Sequence, residues 1–155
     1  HTIAAKAIAF GEALRPEFKI YAEQILKNAK AMEKVLKDEG VRMIGGGTDN
    51  HLILADVFGS LGVTGKEAQT VLDEVGITLN MNSIANDTRK PLDPSGIRFG
   101  TPAITTRGFK EEDCAEVAKL LIETLRNKDD ADKKAEIKEK VKALAHKHPI
   151  PKSFV

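Results

Sequence analysis

The sequence predicts an α+β domain with two layers, in which helices cover a small and mainly antiparallel sheet. Apolar residues recur at helical spacing near both ends of the chain, short apolar runs lie between them, and turn residues separate those runs. The predicted order is two helices, two strands, a helix, a strand, a long loop, a strand and two helices. Because strands pair with their neighbours and helices cover one face, the expected arrangement is a two-layer sandwich.

The composition excludes several function classes. The 155 residues suffice for one domain with a single core, and 24 basic against 23 acidic residues leave a net charge of +1. That balance argues against a nucleic-acid-binding module, which usually carries a basic excess. No stretch approaches the roughly 18 apolar residues of a membrane-spanning helix, so no membrane association is expected.

Reactive residue types are sparse. Cys114 is the single cysteine, which excludes an internal disulfide and favours a reducing, cytoplasmic location. It falls on the apolar stripe of a predicted helix, so core packing is its favoured role. The four histidines have no cysteine or carboxylate partners at metal-ligand spacing, and no metal site is predicted.

The N-terminal part predicts two helices. Residues 1–10 are alanine-rich and helical with no methionine or cap before them, so we interpret the chain as beginning inside or just before a helix. No signal peptide is recognised there. Pro16 suits the first turn of a second helix, which Gly40 ends. The apolar stripe of that helix consists of Phe18, Tyr21, Ile25, Ala29, Met32 and Leu36.

A strand near residues 41–44 and a glycine turn at 45–47 follow. The glycines lack the Gly-Lys-Ser/Thr of a phosphate loop and precede a strand, so phosphate binding is disfavoured. Residues 51–57 predict a strand that is apolar on both faces, which implies a covered position in a sheet. Asp49, Asn50 and His51 are either polar site residues or hydrogen-bonding loop residues, and the second role is favoured.

The next helix has a clear start, because Thr64 with Glu67 three residues later forms a capping box. Its buried face consists of Ala68, Val71, Leu72 and Val75, and Gly76 ends it. Residues 77–79 predict a short strand. Residues 81–95 predict a long polar loop, which is either a binding loop or a tolerated surface excursion.

The chain is organised around Arg98. On a strand, Ile97 and Phe99 face one way and the guanidinium faces the other, while the neighbouring glycines 96 and 100 leave open space beside it. Thr101 precedes a proline and is expected to stay extended. The planar guanidinium stays charged and can donate two parallel hydrogen bonds. Beside open space it suits bidentate recognition of a carboxylate or phosphate. A structural salt bridge at a strand end is an equally weighted alternative.

Two helices are predicted at the C-terminus. Residues 110–127 begin with three acidic residues, which favour a helix N-terminus, and the inner face consists of Cys114, Val117, Leu121 and Leu125. Residues 129–148 form a highly charged helix with a narrow apolar seam of Ile137, Val141 and Leu144. Its lysines alternate with acidic residues, which is typical of a solvated face.

The run SGIRFGTPAITTRGF resembles the C-terminal signature of serine hydroxymethyltransferase, a pyridoxal-phosphate enzyme that interconverts serine and glycine using tetrahydrofolate. The runs HTIAAKAIAFGEAL, GGTDNHLILADV and GITLNMNSIANDTRKP extend the resemblance over essentially the whole chain. The resemblance implies the small C-terminal domain of a fold-type I pyridoxal-phosphate enzyme.

By this resemblance, Arg98 matches the arginine that holds the substrate carboxylate, and Asn82 matches an asparagine that approaches the folate ring system. Lys90, Pro91 and Leu92 correspond to a segment lining the same pocket, although family members carry a Ser-Pro-Phe-like run there. Arg107 is expected to be structural. The family's Schiff-base lysine follows a threonine-rich run ending in histidine, and the sequence has no such run.

We therefore interpret residues 1–15 as a helix from the end of a large cofactor domain and residues 16–155 as the C-terminal small domain. The parent enzyme would be a cytoplasmic homodimer of one-carbon metabolism acting on serine, glycine and folates. This chain alone is expected to bind pyridoxal phosphate weakly or not at all and to be inactive. Two alternatives are a stand-alone α+β module that binds a small acidic metabolite through Arg98, and an interaction domain that associates through its first helix.

Overall fold

The computed structural model describes residues 1–151, which form an α+β fold as the sequence predicts. The helices are α1 (Thr2–Ala13), α2 (Pro16–Asp38), α3 (Val57–Leu61), α4 (Gly65–Glu74), α5 (Pro102–Thr106), α6 (Glu111–Arg126) and α7 (Ala131–Lys147). The strands are β1 (Arg42–Met43), β2 (Leu52–Asp56), β3 (Asn80–Asn82) and β4 (Gly96–Gly100), with a short 3-10 turn at Ile44–Gly46.

The four strands form one antiparallel sheet in the order β1-β2-β4-β3. Strand β4 is therefore an inner strand between β2 and β3. Its central residue Arg98 lies directly opposite Leu54 on β2 and Asn80 on β3. Because residues opposite each other in a pair point to the same side, these three side chains share one face of the sheet.

The other face, called here the covered face, packs against α2, α4 and α6 and forms the core. Ile53, Ala55 and Ile97 project from it and have no exposed surface. Leu36 of α2 and Leu121 of α6 belong to the same apolar cluster. Fully burying one such side chain stabilises the fold by about 1.5–3 kcal/mol, so this face accounts for much of the stability.

The face carrying Arg98, called here the open face, has no helical layer over it among residues 1–151. Leu52 on this face is 37% exposed and Leu54 is half-buried. The prediction that residues 51–57 are covered on both sides is therefore wrong for the described part of the chain. The continuous apolar run reflects an inner strand with one packed face and one accessible apolar face.

The predicted helix boundaries are largely confirmed. Pro16 is in the first turn of α2, and Gly40 follows the helix with a φ of +78° that favours glycine. The Thr64 hydroxyl accepts a hydrogen bond from the Glu67 backbone N–H at 3.1 Å, and Gly76 follows α4 with a φ of +88°. The short helices α3 and α5 were not predicted.

The predicted strand at 77–79 is wrong, because the third strand lies at Asn80–Asn82. The Ile77 N–H donates to the Leu72 carbonyl at 2.9 Å and so still belongs to the end of α4. Pairing begins only where Asn80 meets Arg98, and the Met81 N–H is held by the Gln69 side chain at 2.7 Å. The polar loop between β3 and β4 is shortened accordingly.

The expectation that Thr101 is extended is also wrong. Its φ of −103° and ψ of −8° are helical, and it is the N-cap residue of α5. The Thr101 hydroxyl donates to the Ile25 carbonyl at 2.9 Å, and its own carbonyl accepts from the Thr105 N–H at 2.9 Å. These bonds outweigh the local preference of a residue before proline.

The two C-terminal helices agree with the prediction. Cys114 is fully buried in α6, and burial raises the pKa of its thiol to about 12, so the thiol is inert at neutral pH. Ile137 is the buried residue of α7, with Val141 and Leu144 half-buried. Among residues 1–151, no helix combines the length and apolar character that crossing a bilayer requires.

Candidate functional site

Arg98 lies at the centre of β4 and projects from the open face. Its side chain is exposed, and no hydrogen bond or ion pair joins it to another side chain within residues 1–151. In this part of the chain the structural salt-bridge interpretation is therefore wrong. A strand backbone paired on both sides fixes the start of the side chain, so the guanidinium fork stays available for an external anion.

The space beside Arg98 is not the open space that the flanking glycines suggested. A Cβ atom at Gly96 would lie 2.6 Å from Ile84 Cγ2 and 2.8 Å from the Asn82 carbonyl oxygen. At Gly100 it would lie 2.8 Å from the His51 carbonyl oxygen and 3.1 Å from Leu52 Cδ2. The glycines thus allow neighbouring chain segments to approach the strand closely, and the accessible space lies above the open face.

The positive charge of Arg98 has no acidic side chain to balance it on the described strands. Asp56 is the one acidic residue on these strands, at the end of β2 opposite Gly96. It is buried and already bound, since it pairs with the Arg42 guanidinium at 2.8 Å and accepts from the Gly59 N–H at 2.8 Å. An incoming carboxylate would therefore meet an uncompensated cation.

Asn80 and Asn82 place two amides on the open face beside Arg98. Asn80 is exposed and directly opposite the arginine, whereas Asn82 is half-buried and opposite Gly96. The Asn82 side-chain amide N–H donates to the Ser83 carbonyl at 2.6 Å, which leaves the amide oxygen as an acceptor. Sequence reasoning identified Asn82 but missed Asn80 and Leu54, because their pairing with Arg98 depends on the register.

The loop from Ser83 to Ser95 is held together by Asp87. Its carboxylate accepts from the Ser95 N–H at 3.0 Å, the Arg89 N–H at 3.0 Å, the Ser95 hydroxyl at 2.7 Å and the Ile84 N–H at 3.2 Å. These hydrogen bonds, the Ser95 backbone bond first, hold the pKa of the Asp87 carboxyl well below its usual range. The loop is therefore a folded element rather than a random excursion.

Arg89 anchors the same loop to the body of the domain. Its Nε donates to the Asp93 carbonyl at 3.0 Å, its guanidinium pairs with the Asp93 carboxylate, and it lies 4.4 Å from the centre of the Phe58 ring. Phe58 belongs to α3, which directly follows β2. Arg89 thus has a structural role, in contrast to Arg98, whose guanidinium has no partner within residues 1–151.

Lys90, Pro91 and Leu92 form the exposed tip of this loop, and Leu92 is 78% exposed. Within residues 1–151 no hydrogen bond or ion pair connects them to Arg98 or Asn82. The structure therefore brings Arg98, Asn80 and Asn82 onto one face and keeps the three loop-tip residues accessible on the connection between β3 and β4.

The expectation that Arg107 is structural is confirmed. Its Nε donates to the His148 carbonyl at 2.7 Å and its Nη2 to the Ala145 carbonyl at 2.8 Å, so it caps the C-terminal end of α7. A cavity of about 360 Å³ near this residue is lined by Phe99 and therefore lies on the covered side of the sheet, away from Arg98. Within residues 1–151, no three His, Cys, Asp or Glu side chains group as metal ligands.

The sequence is also similar to a known protein family. A family model described as serine hydroxymethyltransferase matches residues 1–121. The matched part contains the whole sheet, the loop between β3 and β4, and all five predicted site residues. It ends within α6, so α7 lies outside it.

Proposed function

Because the chain belongs to the serine hydroxymethyltransferase family, we propose that it provides the substrate-carboxylate site and part of the folate site of glycine hydroxymethyltransferase. That enzyme interconverts serine and glycine with tetrahydrofolate and 5,10-methylenetetrahydrofolate. The observation that supports this function is the exposed guanidinium of Arg98, which has a fixed origin on an inner strand and no acidic partner within residues 1–151.

In this proposal Arg98 holds the α-carboxylate of serine or glycine through two parallel hydrogen bonds. Two bonds to one planar group fix rotation about the bond between the carboxylate and Cα, so the reacting bond of Cα is held in one orientation. Leu54 and Asn80 are the cross-strand neighbours of Arg98 on the open face. Lysine would supply the charge without the planar fork.

Asn82 and the loop tip provide the folate contacts in this proposal. The free amide oxygen of Asn82 can accept from a ring N–H on the same face that carries Arg98. Lys90, Pro91 and Leu92 are exposed beyond it and offer a cation next to an apolar surface. A folate therefore approaches from the open face, along the loop that Asp87 and Arg89 hold in place.

The lysines within residues 1–151 do not suit a covalently held pyridoxal phosphate. The strands contain no lysine on the open face, and no lysine within residues 1–151 is buried. We propose that a cofactor domain outside residues 16–155 holds the pyridoxal phosphate and that residues 1–15 are the end of that domain. The lack of any buried residue in α1 supports this division, as does the exposed open face. The complete enzyme would act as a homodimer.

The proposal is tested by joining the cofactor domain of a characterised family member to residues 1–155 and measuring serine cleavage with tetrahydrofolate. We expect turnover by the joined protein and none by the chain alone. Arg98→Lys should lower kcat/KM by roughly two orders of magnitude or more. This corresponds to a loss of about 3 kcal/mol or more in transition-state stabilisation, which is the scale of losing one partner of a desolvated charge pair.

Arg126→Lys is the matched control, because Arg126 is an exposed arginine of α6 whose ion pair with Glu39 lies on the surface. It should leave kcat/KM unchanged. If Arg98→Lys retains activity within about threefold, Arg98 does not hold the carboxylate. Binding of serine or glycine by the unjoined chain, without turnover after joining, would instead support the stand-alone binding module.

A further inference from the structure

The cavity of about 360 Å³ on the covered side of the sheet lies beneath the C-terminal helix. One side is formed by β4 and α6, through residues such as Phe99 and Leu121, and α7 closes the other side with Val141, Leu144 and Ala145. Its volume lies in the range of about 300–1,000 Å³ that is typical of small-molecule sites.

The cavity exists because α7 has few apolar side chains to fill the interface. Ile137 is its one fully buried residue, and the seam continues only with half-buried Val141 and Leu144. Facing them are small residues, such as Gly76, whose added Cβ would lie 3.6 Å from Val141 Cγ1. An unfilled apolar space costs stability, and such spaces take up apolar ligands rather than water.

One cation marks this otherwise apolar cavity. Among the described residues 1–151, Arg107 is the only charged residue that lines it. Its Nε and Nη2 are fixed on the carbonyl oxygens of His148 and Ala145, while Nη1 has no protein acceptor within residues 1–151. The Asp113 carboxylate does not line the cavity, and it contacts Lys147 Nζ at 2.7 Å and His148 Nε2 at 3.1 Å.

We propose that this cavity binds small amphipathic monoanions, whose apolar body packs among Phe99, Leu121 and Leu144 and whose single carboxylate or sulfonate meets Arg107 Nη1. A lone cation in an apolar wall favours one negative charge attached to an apolar group, because a polar or multiply charged ligand would lose hydration there without compensation. The site is separate from the proposed function, since Arg98 projects from the opposite face of the same strand.

The test uses two fluorescent probes with the same aromatic rings, anionic 1-anilinonaphthalene-8-sulfonate and neutral N-phenyl-1-naphthylamine. Only the anionic probe can accept a charge-assisted hydrogen bond from Arg107, so it should bind at least about tenfold more tightly. Octanoate should displace it and octanol should not. Equal affinities for the two probes would overturn the proposal.

Location is tested with two variants of α7. Ala145→Phe fills the cavity and should weaken binding of the anionic probe at least about tenfold. Ala135→Phe, on the exposed side of the same helix, should leave it unchanged. Equal binding by both variants would place the probe on another apolar surface, such as that of α1 with exposed Ile3, Ile8 and Phe10, and would contradict the proposal.

A second measurement covers the case in which Ala145→Phe fails to fold, as judged by circular dichroism. Nuclear Overhauser contacts are then recorded between the bound probe and the methyl groups of the unchanged protein. Contacts to Val117 and Leu144 support the cavity site. Saturable binding without contacts to either residue overturns it.

Discussion

The two faces of the sheet differ in how far their side chains are buried. On the covered face, Ile53, Ala55 and Ile97 are fully buried against helices. On the open face, Arg98 and Asn80 are exposed, and the arginine has no partner within residues 1–151. In the proposed function, stability and recognition therefore lie on opposite sides of one strand, and substitutions one residue apart on β4 should separate them.

The largest expected effect is the contrast between Ile97→Ala and Arg98→Ala. Removing the buried Ile97 side chain leaves a cavity in the core and should lower the free energy of unfolding by about 2–5 kcal/mol. Arg98→Ala should change it by no more than about 0.5 kcal/mol, because the side chain contacts water. Urea denaturation followed by circular dichroism measures both. A comparable loss from Arg98→Ala would show that the open face also supports the fold.

The helical layer also contains charges, but these have partners. Burial alone would raise the pKa of Glu33 on α2, yet hydrogen bonds from Lys37, Lys30 and the Thr48 N–H lower it to about 2. Because the pKa is depressed in the folded state, the stabilisation is present above the unfolded pKa of about 4.5 and is lost as the pH falls towards about 2.

The variant Glu33→Gln tests whether these hydrogen bonds stabilise the folded protein. It should lower the free energy of unfolding at neutral pH by up to roughly 3 kcal/mol and flatten its decrease between about pH 5 and pH 2. Glu17→Gln, an exposed position in the first turn of the same helix, is the control. An unchanged acid profile in Glu33→Gln would mean that the three donors do not stabilise the carboxylate.

The smallest effect concerns the close approach at Gly96. Gly96→Ala should cost about 1–3 kcal/mol, because the new methyl group meets Ile84 and two strand carbonyl groups. Gly11→Ala in α1 has nothing within 4 Å of its added Cβ and should stabilise the helix by about 0.5–1 kcal/mol. Thermal melts compare the two. If Gly96→Ala is as stable as the original protein, the space beside Gly96 is open, as the sequence suggested.

Sequence reasoning succeeded where the signal is local. Helical periodicity predicts the apolar stripe of α2 and the inner face of α6, and most of these residues are buried. The exceptions are Phe18, which is exposed, and Tyr21, Ile25 and Val117, which are half-buried. Sequence reasoning failed where a long-range contact decides, as at Thr101, whose hydroxyl bonds to Ile25 and begins α5. The strand at Asn80–Asn82 was placed too early for the same reason, since its start depends on pairing with β4.

For the site, the sequence by itself determined that one arginine stands alone among apolar neighbours on a strand, because side chains alternate along any strand. It also determined the two-layer fold class and the end of α2 at Gly40. Only the tertiary structure decided that Arg98 is unpaired within residues 1–151 while Arg89 and Arg107 are bound. Ion pairs and hydrogen bonds form between residues distant in sequence, so an arginine's role follows from which oxygen atoms the fold brings to it.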